Sequence, residues 1–373
     1  MKEGESKQLF KKIHGSWTGK VIGSLYGMPF EGKDPRELEA SHGQIAGWQA
    51  AHGTGGGVIN DDEQFELVAL LCMEQEGIQG FTVPNLSRYW SKYLNPRWLF
   101  TAEKQVYENW AKGIPPEEAA KPGHNPWFDF IGAQMKGEIF GHVAKPGDLQ
   151  TAVDLARVDG LVAHDGIGVD GELFIAGMVN LGINSNKLPH QRLLREHVNT
   201  VKQYLAPGGK YAELVDLVLG WSKENPEPRG WEVVFTKVEQ WWQEETLESL
   251  ILEEEARPTH PQRRQVLMQC ALSPWSHCHV LPNAGIILIA LLYGNGDFGQ
   301  SLQLAATMGY DADCNVGNVG GILGAHLGQA GIPEYWKQQI EDEILVVLKD
   351  WEDPSLTNLA RRVLHVARNR DSE

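Results

Sequence analysis

Residues 309–328 read GYDADCNVGNVGGILGAHLG, with two acids, Asp311 and Asp313, ahead of an apolar run strewn with glycine. Gly317, Gly321, Gly324 and Gly328 recur at spacings of four, three and four. Such spacing predicts a helix with its glycines on one face. A glycine inside a helix costs about 1 kcal/mol relative to alanine, so four of them predict a neighbouring helix whose backbone comes very close. Asp311 and Asp313 fall at the helix start. N-capping and the helix dipole give one account of them, since aspartate suits both.

Outward from this stretch the pattern stays helical. Residues 63–77 carry Phe65, Val68, Leu71 and Cys72 at helix spacing and end on Gly77. Residues 210–225 repeat the pattern with Leu214, Leu217, Val218 and Trp221. Residues 232–256 read as one or two amphipathic helices, and 333–353 as a helix opened by a proline. Alternating strand patterns are hard to find. The expected fold is all-α: one compact multi-helix domain over 8–370, with glycine and proline clusters marking turns but no long linker.

Composition narrows the function. A net charge of −16 argues against a nucleic-acid partner, because phosphate contacts need clustered Lys and Arg. The longest strongly apolar run, AGIILIALLYG, is too short to span a bilayer. Four cysteines in 373 residues do not make a disulfide framework. The N-terminal residues lack the apolar core of a signal peptide, so a cytoplasmic protein without a membrane partner is expected. His277, Cys278 and His279, with Cys270 eight positions earlier, do not complete a zinc set at recognised spacing. A buried thiol with loop histidines is the simpler account.

A second acid pair shares the grammar of the first. Asn60, Asp61 and Asp62 stand directly before the 63–77 helix and follow a glycine-rich loop. If the two helix starts meet, four desolvated carboxylates repel one another by several kcal/mol, about 4 kcal/mol per pair at 4 Å and an effective dielectric of 20. A hard divalent cation reverses the sign of that energy, and oxygen donors favour Mg²⁺, Mn²⁺ or Ca²⁺.

The two motifs together, NDDEQ and GYDADCN, resemble the paired metal motifs of the ADP-ribosylglycohydrolase superfamily, usually Thr-Asp-Asp and Gly-Gly-Asp-Thr-Asp-Thr. Residues 15–33, 132–148, 159–182 and 279–314 resemble further parts of that family, and 185–260 is the least similar stretch, expected to be a lid or an insertion. The resemblance implies an all-α domain with two Mg²⁺ or Mn²⁺ ions held by Asn60, Asp61, Asp62, Asp311, Asp313 and, in the place of a threonine, Cys314. It implies hydrolysis of a glycosidic bond at ribose C1, with an ADP-ribosylated side chain or another ADP-ribose adduct as the substrate. Asp61 or Asp62 would then take the proton of a metal-bound water, and Glu31 would protonate the leaving group if partial burial raised its pKa. His164, Asp165, Gly166 and Gly168 would line the substrate cleft. Where relatives carry a small Gly-Asn-Gly-Ser loop, this chain has Asn125, Pro126, Trp127 and Phe128. Those rings block close backbone approach to a diphosphate and offer a stacking face instead. A smaller N-riboside therefore stands as an alternative substrate, and a catalytically degenerate scaffold as an alternative role.

Overall fold

The computed structural model describes residues 3–42, 48, 62–273, 278–344 and 346–369. The chain is all-α, as expected. Among the described residues, extended pairing is limited to isolated bridges such as Phe130 with His279. No helix among them is long and apolar enough to cross a membrane.

Six helices position the site: α1 (Glu3–Gly27), α2 (Asp62–Glu76), α3 (Leu149–Ala163), α4 (Ile167–Asn184), α5 (Val280–Tyr293) and α6 (Ala312–Leu327). Every residue of α5 is buried, as is α6 from Ala312 to His326. Helices apolar on all sides belong in the middle of a core. Amphipathic helices surround them. Gln191–Lys202, for example, buries only Leu193, Leu194, Val198 and Val201. The 185–260 stretch contributes to this shell as well: Val238 packs against Gly285 of α5, and Trp241 and Trp242 are buried.

The close helix contact predicted from the glycines of 309–328 is present, and the partner is α1. Gly15, Gly19, Gly23 and Gly27 recur every four residues, so they share one face. A Cβ added to any of them would stand well under 3.0 Å from the backbone of Gly328, Gly320, Val316 or Ala312 respectively. Gly320 and Gly324 face α1 in the same way, against the carbonyls of Gly19 and Gly15. The face differs from the expected one in detail. Gly321 meets the Glu138 side chain instead, and Gly328 lies past the helix end at φ +69°. Ser16 adds a hydrogen bond from its Oγ to the Gly321 carbonyl, 2.8 Å.

The helix read over 63–77 is present as α2 and is buried on more than its apolar face: Glu63, Gln64 and Glu66 are as buried as Phe65 and Val68, while Leu71 is only half-buried. One helix expectation needs correction. The predicted 333–353 helix is one turn, Glu334–Lys337. Beyond it the backbone pairs elsewhere. The Ile344 N–H donates to the Pro354 carbonyl and the Lys349 N–H to that of Tyr93. β-Branched Ile344, Val346 and Val347 suit that extended path better than a helix.

Gly19→Ala or Gly320→Ala should destabilise the protein by ~3 kcal/mol or more, because the new methyl meets backbone that cannot give way. Gly220→Ala, at a helical position with nothing within 4 Å, should instead stabilise by about 0.5–1 kcal/mol. Urea unfolding of the three variants measures both signs.

Candidate metal centre

The turn into α6 is unusual. Gly309 and Tyr310 both have positive φ, +66° and +59°. That conformation is unfavourable for a tyrosine, on the order of 1–2 kcal/mol. Three contacts hold it. The Gly32 N–H donates to the Tyr310 carbonyl at 2.8 Å, the Tyr310 hydroxyl donates to Glu239 Oε1 at 3.1 Å, and the Phe235 ring meets it edge-on. The turn delivers Asp311 and Asp313 to the interior, and the bond from Gly32 brings the Glu31 segment alongside.

Capping does not account for these acids. Asp311 stands at the N-cap position, yet its side chain accepts no hydrogen bond from the helix backbone. Its own N–H donates to Asn283 Oδ1 at 3.2 Å, and Asn283 also accepts from Asn315 Nδ2 at 2.7 Å. Asp62, the first residue of α2, is 1% exposed, Asp311 6% and Asp313 7%. One donor atom from each of Asp62, Asp313 and Cys314 lies within 4.8 Å of the other two. The two acid motifs thus meet at the ends of α2 and α6, although Asp62 and Cys314 are 252 positions apart. Asn60 and Asp61, expected beside Asp62, lie outside the described residues.

The electrostatics favour a cation. Burial first, then the charges of Asp311, Asp62 and Glu31, push the Asp313 carboxyl well above the usual carboxylate range. Asp313 Oδ1 is buried with no hydrogen-bond partner among the described residues. A divalent ion fits those donors: it would give that oxygen a partner and cancel the repulsion.

The remaining predicted residues fall in several places. Glu31 is exposed, but its charge reaches Asp313 and Cys278. The expected burial of its carboxyl is absent. Asn125 is fully buried, with its amide donating to the carbonyls of Ala102 and Ala163 at 3.1 and 2.9 Å, while its Oδ1 accepts from Trp127 N–H at 3.0 Å. It pins the loop from beneath. Trp127 is half-buried. His164 is fully buried, with Nε2 3.5 Å from Glu103 Oε1, and burial then Lys136 hold its pKa well below normal. Asp165 Oδ1 accepts from the Gly166 N–H at 2.7 Å. Gly166 is exposed at φ +52°, and Gly168 packs tightly on the Phe128 carbonyl. The 125–131 loop is stitched to the acid cluster through Cys278, whose carbonyl accepts from the Ile131 N–H at 2.8 Å and whose thiol is pushed well up by burial and then by the charge of Asp311.

Sequence reasoning passed over the charges beneath the acid cluster. Lys20 of α1 pairs with Glu66 Oε1 at 2.7 Å and Glu138 Oε2 at 2.8 Å, all three at most 1% exposed. Asn318 of α6 donates to Glu138 Oε1 at 2.8 Å. Lys136 forms a second such node with Asp159 and, at 3.4 Å, Glu172. Only the glycine periodicity of 15–27 hinted that α1 was interior, and hence that Lys20 would be buried.

The backbone resembles a solved structure described as an ADP-ribosylglycohydrolase-related protein complex. The match has a TM-score of 0.54 at 16% identity and covers 98% of this chain and 99% of that one. No curated protein sequence matches the chain significantly. The chain belongs to the ADP-ribosylglycohydrolase family, whose sequence model it matches over residues 5–373.

The buried carboxyls set a pH dependence. Burial pushes Glu66 up to about 8, against the opposing pull of Lys20, whose charge it shares with Glu138. A carboxyl with a raised folded pKa binds its proton more tightly when folded. Stability therefore falls as pH rises from the unfolded value near 4.5, and the loss is complete above about 8. Glu66→Gln stays neutral throughout. Thermal midpoints at the two ends of that window should show the wild type losing stability relative to the variant as pH rises.

Proposed function

We propose that the protein is a metal-dependent hydrolase of a glycosidic bond at ribose C1, with ADP-ribosyl adducts as its default substrate. The observation that carries this reading is the convergence of Asp62 and Asp313 into one buried group with an unpartnered carboxylate oxygen. Family membership supplies the reaction class.

Asp62, Asp311 and Asp313 would hold one or two divalent cations, with Asn60 and Asp61 beside them. Such an ion fixes ribose hydroxyls and lowers the pKa of a bound water, supplying a nucleophile at neutral pH. The remaining chemistry belongs to the side chains. The buried carboxylates face the positive charge that gathers on C1 in an oxocarbenium-like transition state. Asp61 or Asp62 accepts the proton of the attacking water. Glu31 donates its proton to the departing atom. Because Glu31 stands exposed beside Asp313, it becomes a competent acid only when substrate covers it and raises its pKa.

One observation favours a smaller N-riboside as the second reading. Backbone N–H groups of the 125–131 loop already have protein partners: that of Trp127 donates to Asn125 Oδ1 at 3.0 Å, that of Phe130 to the Trp127 carbonyl at 3.0 Å and that of Ile131 to the Cys278 carbonyl at 2.8 Å. The loop therefore offers the Trp127 ring, and not a row of free N–H groups, to a bound molecule. Hydrolysis of an ADP-ribosylated peptide compared with that of a nucleoside separates the two.

Mn²⁺ should raise the melting midpoint, and ADP-ribose or ribose should raise it further, by RT ln(1 + [L]/Kd) in free energy. Asp313→Ala should abolish the metal shift and lower turnover at least ~100-fold, more than loss of an outer-shell partner costs. An Asp313→Ala protein that hydrolyses substrate at the wild-type rate rules out the assignment of the second motif. A wild-type protein that responds to neither metal nor ribosyl ligand is a scaffold.

A further inference from the structure

The donors around Asp313 are not all oxygen. Cys314 Sγ lies 3.3 Å from Asp62 Oδ1 and 3.9 Å from Met135 Sδ. Cys278 carries a second thiol near enough to feel the charge of Asp311. Mg²⁺ takes oxygen ligands in near-ideal octahedral geometry, and soft sulfur is a poor match for it. Sulfur of Cys314 and Met135 beside the carboxylates of Asp62 and Asp313 makes an unexpected lining for an Mg²⁺ site.

The geometry suits an ion bound by both atom types. A sulfur about 2.3 Å and an oxygen about 2.0 Å from one ion, at the tetrahedral angle, stand roughly 3.5 Å apart. The Sγ–Oδ1 separation of 3.3 Å is close to that edge. A carboxylate oxygen of Asp313 completes a triangle with donor atoms of Asp62 and Cys314 inside 4.8 Å, and Asp313 Oδ1 is buried and unpartnered among the described residues. Met135, itself buried, packs its thioether on the thiol and keeps water from that flank.

We infer that Cys314 is itself a metal ligand, so that Asp62, Asp313 and Cys314 form a mixed carboxylate–thiolate centre selecting a borderline cation such as Zn²⁺, Co²⁺ or Fe²⁺ over Mg²⁺. The inference rests on the reading that a dication binds between the acid motifs, and it names which cation that is. On binding, the S–H bond breaks, a metal–sulfur bond forms and the proton leaves to solvent; no electron changes hands. The departure from the threonine of the family motif is then a change of metal preference and not a damaged site.

Cobalt reports the ligand directly. Protein freed of metal by a chelator is titrated with Co²⁺ and its near-ultraviolet spectrum recorded. A thiolate-to-cobalt charge-transfer band, saturating with the metal, is expected in the wild type. Cys314→Ser should lose the band and bind Zn²⁺ at least about tenfold more weakly, a directly bound ligand counting for no less than an outer-shell partner. Cys278→Ser should keep it. Cys72 and Cys270 lie outside the clustered donors, so a band that survives Cys278→Ser identifies Cys314 even if Cys314→Ser fails to fold. In Cys314→Thr the thermal stabilisation by Mg²⁺ should grow relative to that by Zn²⁺. Two results overturn the inference: Co²⁺ stabilising the wild type with no such band, or a band that persists in Cys314→Ser. If Mg²⁺, Mn²⁺, Zn²⁺ and Co²⁺ all shift the wild type no more than Asp313→Ala, the dication reading itself fails and this inference falls with it.

Discussion

Where α1 crosses α6 there is no layer of side chains between the two backbones, and the groups near Asp313 inherit their positions from that contact. The last glycine of the α1 face, Gly27, lies against Ala312 and Asp313. From there the chain turns through Met28–Phe30 to Glu31, and Gly32 bonds the carbonyl of Tyr310. The same contact therefore sets where the acids of α6 begin and where the exposed glutamate stands beside them. Packing without Cβ atoms sacrifices apolar burial and helix propensity at many positions. In exchange, the relative placement of the two helices has very little freedom.

Lys20 extends that placement to the third element. It sits on α1 one position past Gly19, and its ion pairs with Glu66 and Glu138 tie α2 and the Glu138 helix to the same axis. Asp62 begins α2, so the pin that holds Glu66 also orients Asp62. Buried ion pairs give little net stability, because desolvation of both partners offsets their attraction. Their value here is positional. Removal of the lysine would leave the carboxyls of Glu66 and Glu138 buried without their shared donor, which is far more costly than the pair itself is favourable.

Much of this was legible in the residues. Helix periodicity marked 210–225 almost to the residue, since the structure has Lys210–Glu224. The glycine spacing marked a close crossing on α6, although it put Gly321 on the crossing face where Gly320 belongs. Each residue turns about 100° around a helix, so adjacent glycines face different neighbours, and spacing alone does not choose between them. The acid motifs were legible as a pair only through resemblance, because nothing local shows that residues 62 and 313 meet. Cys278 was visible as one of a cluster with His277 and His279, but Asp311, whose charge it feels, stands far along the sequence at the turn into α6. Asn125 sits where a family substrate loop was expected, yet its amide holds the backbone of Ala102 and Ala163. Residue type alone does not separate a polar group that meets a ligand from one that satisfies a buried carbonyl.

The touching helices also have a consequence for biosynthesis. Ser16 and its partner Gly321 are 305 positions apart. During translation the glycine ridge of α1 emerges early and waits, uncovered, until α6 has been made. Contacts of such long sequence separation form late and slowly. Ribosome pausing or premature termination before α6 would leave a chain that has most of its helices but neither its central crossing nor its acid cluster, and such a product is a natural target for chaperones and proteases.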